Sequence, residues 1–247
     1  MTYPTMHPVL HDVLEDIFAQ LPIQDLLSVA LASHLCHRVS LIHLYRKILH
    51  IQLFGWNKKA HVPSIKCLAT LASPGSSPQA VRHFAARGLP WVQESTMTMF
   101  SQAIINMTGL VSLELEMGSP PEALLFTESQ CASPSFLPNL RAASLYDYST
   151  AGRLVARRPV EYLRIRTMID AGTFPDFMTA LRLDTVVLKC LQVWVAVPNV
   201  ASAAIIVDRV TREVPSLTSL GITFTFPSPR WTARLSVIPI PSIRDPD

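Results

Sequence analysis

Leu10-His11-Asp12-Val13-Leu14-Glu15-Asp16-Ile17-Phe18-Ala19-Gln20-Leu21-Pro22-Ile23-Gln24-Asp25-Leu26-Leu27-Ser28-Val29-Ala30-Leu31-Ala32-Ser33 is the stretch on which the fold of this chain turns. Leu10, Val13, Leu14, Ile17, Phe18 and Leu21 recur at the three- and four-residue intervals of an amphipathic helix. Asp12 and Glu15 stand at its start as in a capping box, and Pro22 stops it. Asp25 is placed to cap a second helix whose inner side would be Leu26, Leu27, Ala30, Leu31 and Leu35. Val39, Ile42, His43 and Ile48 make a third apolar series. Three helices in about forty residues bury little surface, so the module is expected to lean on a partner or on the rest of the chain. Periodicity alone reads these leucines as a small helical core.

The same stretch resembles an F-box in its order of residues: an apolar pair before Ile17-Phe18, then Leu21-Pro22, then Asp25-Leu26-Leu27 and an apolar helix ending near Cys36-His37-Arg38. Leu44-Tyr45-Arg46-Lys47-Ile48 is similar to the segment that closes many fungal F-box modules. The resemblance implies that residues 8–50 dock on a Skp-type adaptor and through it on a cullin. Its adaptor-facing candidates are Leu10, Val13, Leu14, Leu21, Pro22, Leu26, Leu27 and Leu31. Two departures stand out: His11 occupies the usual proline position, and the third helix lacks the usual tryptophan.

Downstream, the pattern changes to short apolar runs broken by Pro, Ser and Gly. Apolar triplets occur at Leu110-Leu113-Leu115, Val160-Leu163-Ile165, Leu183-Val186-Leu188 and Leu217-Leu220-Ile222, and with a central alanine at Leu140-Ala143-Leu145 and Val200-Ala203-Ile205. Leu137-Pro138-Asn139, Val197-Pro198-Asn199 and Val214-Pro215-Ser216 each put apolar-Pro-polar before a run, and Arg158-Pro159-Val160 is a shorter version. This resembles a degenerate leucine-rich repeat, in which each unit buries its apolar side against its neighbours. The spacing also predicts a short helix over Ile65–Ser73, a strand over Ala80–Arg87 and a helix over Phe100–Met107. Residues 227–247 hold five prolines and read as a frayed tail, with no capping unit to close the array. The expected class is α+β: an F-box over 8–50, an irregular leucine-rich-repeat-like α/β solenoid over 51–226, and a Pro-rich tail over 227–247.

Charged residues are only 16% of the 247, against roughly 25% in ordinary soluble domains. The net charge is +3, and the Lys and Arg residues form no stripe interleaved with aromatics, which argues against nucleic acid. Cys36, Cys67, Cys131 and Cys190 lie far apart and read as reduced thiols. With no basic start and apolar run at Met1–His7, they point to the cytoplasm or nucleus. The uncharged stretch Cys190–Val207 is interrupted by Pro198-Asn199, so it reads as two short strands rather than a membrane span.

Little chemistry is legible. His34, Cys36 and His37 cluster, but no second pair follows at zinc spacing, and no metal or cofactor is expected. No nucleophile elbow, phosphate loop or His-Glu-x-x-His occurs. Glu114 and Glu116, two apart on an expected strand, share one outward face. Together with Arg164 and Arg166 they are the candidates for contact with a target. Asp147 and Asp170 follow expected strands and could face a partner. The expected function is a non-catalytic substrate receptor of a Skp/cullin/F-box ubiquitin ligase. The alternative is an interaction scaffold whose F-box-like helices no longer bind the ligase.

Overall fold

The computed structural model describes residues 8–52, 58–74, 76–88, 94–116, 125–155, 158–181, 187–226 and 232–237. Three helices come first: α1 (Pro8–Ala19), α2 (Ile23–Ala30) and α3 (His34–Tyr45). Pro22, not Asp25, occupies the N-cap of α2, and Asp25 lies in its first turn. Ser33 caps α3 by accepting a hydrogen bond from Cys36 N at 3.1 Å. The three helices share a small core of their own, built from Phe18, Leu26 and Val39.

Strand and helix then alternate: β1 (Lys47–Gln52), α4 (Lys58–Ala72), α5 (Ser76–Ala80), β2 (His83–Arg87), α6 (Glu94–Asn106), β3 (Ser112–Glu116), α7 (Glu128–Ala132), β4 (Ala142–Leu145), α8 (Tyr148–Val155), β5 (Tyr162–Asp170), α9 (Phe174–Leu181), β6 (Cys190–Ala196), α10 (Val200–Glu213), β7 (Ser219–Thr225) and β8 (Thr232–Val237). All eight strands form one sheet in chain order. From β2 to β7 they make a six-strand parallel core; β1 joins it parallel across a bulge, and β8 joins antiparallel. The class is therefore α/β, not α+β. Parallel neighbours need a crossover, and the apolar helices supply it.

One face of the sheet is sealed. Leu113 and Leu115, Leu163 and Ile165, Leu191 and Val193, and Leu220 and Ile222 pack in one continuous core with Phe100 and Ile104 of α6, Leu154 of α8, Phe174 and Phe177 of α9, and Ile206 and Val210 of α10. The alternate strand positions stay half-buried or exposed, so the opposite face is open. A recurring hydrogen-bond pair starts each strand from β2 to β7. The carbonyls of Arg46, Arg82, Val111, Arg141, Glu161 and Lys189 each accept two successive backbone N–H groups from the next strand's start, at 2.7–3.0 Å. The polar residue after proline has a related job: Asn139 Nδ2 donates to Thr108 O and Ser216 Oγ to Leu188 O, both at 3.0 Å. Each thereby satisfies a carbonyl of an earlier connection.

Several expectations change. The second half of Cys190–Val207 is helical: Asn199 caps α10 through Ser202 N at 2.9 Å, and Ala203, Ile206 and Val210 recur at helical spacing. The run Val200-Ala203-Ile205 is therefore no strand. Leu183 and Val186 lie outside the described residues; the strand of that unit is β6. Strand β1 crosses the expected boundary at residue 50 and ties the helical module directly to the sheet. The Pro-rich stretch is not wholly a tail, since β8 lies within it and pairs Leu220–Thr225 with Val237–Thr232. It is an edge strand, the sheet position that tolerates neighbouring prolines. Among the described residues no helix is long and apolar enough to cross a membrane.

Candidate functional site

Two surfaces carry the expected residues. On the helical module, Leu26 is 4% exposed and packs into the internal core. Leu14 and Leu21 are half-buried against that core. Val13, Pro22, Leu27 and Leu31 are exposed, Leu31 at 88%. Leu10 lies in α1, and its side chain falls outside the described residues. Ile17 and Ile23 are also exposed, although sequence periodicity placed Ile17 with the buried stripe. Val13 and Ile17 share one face of α1; Ile23, Leu27 and Leu31 share one face of α2 and its end. Among the described residues these large apolar side chains are left about half exposed or more.

A cavity of about 300 Å³ opens between the three helices, lined by Phe18, Leu21, Ile23, Leu26, His43 and Leu44 among others. His43 Nε2 is buried without a hydrogen-bond partner. Burial is the main cause that lowers the His43 pKa; Glu15 opposes the shift and Arg46 adds to it. His11 approaches Glu15 at 3.9 Å one turn along α1. His11, Asp12 and Glu15 bring their ligand atoms within 4.8 Å of one another, and among the described residues they are the only such group. His34, Cys36 and His37 do not converge in this way.

On the open sheet face, Glu114, Glu116 and Arg166 are brought together. Arg166 pairs with Glu114 and with Glu116, the latter at 3.1 Å, and donates to Ser144 Oγ at 3.1 Å. Arg87 of β2 pairs with Glu116 at 2.8 Å. Arg166 sits on β5, yet it reaches β3 because the intervening β4 offers only Ala142 and Ser144 on that face. Arg164 stands apart from this network and is exposed. A shallow groove of about 190 Å³ runs over β3 to β6, lined by Glu114, Ser144, Tyr162, Arg164, Cys190 and Gln192 among others, with no histidine. At the strand starts Glu161 bridges Arg141 at 3.2 Å and Lys189 at 2.7 Å. The Lys189 hydrogen bond leads the causes that lower the Glu161 pKa.

Asp147 is buried within its own chain. It is 6% exposed and caps α8, accepting from Thr150 N at 3.0 Å, Thr150 Oγ1 at 2.7 Å and Ser149 Oγ at 2.6 Å. Burial alone would raise its pKa, and these hydrogen bonds together hold it below the usual value. Comparison with known protein families and with curated proteins gives no match for this chain.

Proposed function

We propose that the chain is a non-catalytic substrate receptor that docks a Skp-type adaptor through α1 and α2 and a target protein through the open sheet face. The observation that carries this reading is the set of exposed apolar side chains Val13, Ile17, Ile23, Leu27 and Leu31 on a module whose apolar core, among the described residues, is Phe18, Leu26 and Val39. Exposed apolar surface of this kind marks a protein interface. We read the body as a degenerate leucine-rich-repeat array. In support, the register-matched residues His83, Ser112, Ala142, Tyr162, Cys190 and Ser219 are 20 to 30 residues apart, each opened by the same paired hydrogen bonds. In this reading all bond chemistry belongs to other subunits; the receptor raises the effective concentration of a target lysine near the ubiquitin carrier.

The scaffold reading is favoured by Leu26, an expected anchor that the module keeps for itself, and by His11 at the proline position. Calorimetry of the full chain with purified Skp-type adaptor separates the two. Receptor function requires binding at micromolar concentration or below. Leu27→Glu and Leu31→Glu should each weaken it about tenfold or more. Both positions are exposed, so thermal stability should move by no more than about 0.5 kcal/mol. A wild-type chain that fails to bind leaves the scaffold reading.

A further inference from the structure

The open sheet face has two halves of different character. Over β2 and β3 its charges are consumed internally, two carboxylates (Glu114, Glu116) by two guanidiniums (Arg87, Arg166). Over β5 and β6 they are not. Register sets Tyr162 beside Cys190, Arg164 beside Gln192 and Met168 beside Trp194. Tyr162, Met168 and Trp194 are 52%, 52% and 44% exposed. The next strand adds only Ser219, Gly221 and Thr223 in the same rows, so these large side chains stand above a low shelf. Arg164 makes no ion pair among the described residues.

We propose that this half of the face docks an extended acidic segment of a protein, one carrying an aromatic or large aliphatic side chain next to a carboxylate. The carboxylate pairs with Arg164, whose planar guanidinium takes it through two parallel hydrogen bonds. The apolar side chain lies against Trp194, Met168 and Tyr162. Tyr, Trp, Met and Arg are the residue types enriched where interfaces concentrate their binding energy. Charge complementarity selects the occupant and its direction: with Glu114 and Glu116 already neutralised, Arg164 is the unpaired cation at one end of the patch, and the exposed Asp170 beyond the Met168–Trp194 row turns a carboxylate away from the other end. Among the described side chains the patch has one unpaired cation, too few to track a phosphate backbone, which disfavours single-stranded nucleic acid despite the aromatics. The inference rests on the receptor reading for its biological sense and names the chemistry of the target.

Selection of a displayed library of short random peptides on the full chain, followed by fluorescence anisotropy of the selected peptides, tests it. The expected peptides place Asp or Glu beside Phe, Trp, Tyr or Leu. Arg164→Glu and Trp194→Ala should each weaken them about tenfold or more, and Arg164→Lys less than Arg164→Glu. Far-ultraviolet melts confirm that the variants fold. Neutral or basic selected peptides, no enrichment, indifference to Arg164→Glu, or displacement by oligothymidylate would each overturn the proposal. Adaptor binding with no acidic-peptide binding sinks this inference alone. Peptide binding by a chain that ignores the adaptor sinks the receptor reading alone.

Discussion

Arg158 shows how far a single side chain can depart from its sequence appearance. In the sequence it belongs to the basic pair Arg157-Arg158, where solvent is the ordinary environment for such charge. In the structure it is 3% exposed, with its guanidinium donating to Phe136 O at 2.8 Å, Cys131 O at 2.8 Å and Ser133 O at 3.0 Å. It also lies 5.3 Å from the centre of the Phe136 ring. One residue thus satisfies carbonyls at the end of α7 and in the turn after it. Arg158→Met should cost about 3 kcal/mol or more in urea denaturation, because apolar replacement strands those acceptors. Asp147 gives a pH-dependent case. Its folded pKa is depressed, so its contribution is fully present above the unfolded carboxylate value and is lost as pH falls through the folded one. Asp147→Asn should flatten the acid limb of the stability profile, and Asp147→Ala should cost about 1 kcal/mol near neutrality, both read from melts across acidic pH.

Among the elements, the three N-terminal helices differ most from the rest. Their core of Phe18, Leu26 and Val39 is separate from the main one, and burial of each such side chain is worth only about 1.5–3 kcal/mol. Phe18→Ala, a loss of about 3–5 kcal/mol, should melt α1 to α3 while β2 to β7 keep their protection. Hydrogen exchange resolved by segment reads this directly; uniform loss across the chain would show that the two cores unfold as one. These helices were legible from the periodicity of Leu10–Leu21 and from Pro22, because local spacing and a chain-stopper decide them. Residues 190–207 were only half legible. The stretch is apolar on every turn, so it fits a strand or a helix equally, and only the docking of Ala203, Ile206 and Val210 on the core chooses.

At the scale of the whole molecule, the parallel sheet explains the open face. Crossover helices lie against one side, so the residues that alternate with Leu113, Leu163 and Leu191 are left to the other. Sequence alone settled where prolines interrupt and that Glu114 and Glu116, and Arg164 and Arg166, alternate with buried apolar residues, because period-two patterning is local. It also settled that a helical module precedes the strands. Tertiary structure decided the pairing. Arg166 had to reach past the short Ser144 of β4 to Glu114 and Glu116 before its charge, together with that of Arg87, could balance theirs and leave Arg164 outside the network. It likewise decided that Leu26 turns inward while Leu27 and Leu31 stay out, since a small three-helix core has room for only a few side chains. Periodicity fixes which side of an element is apolar; only packing between distant segments fixes what, if anything, covers it.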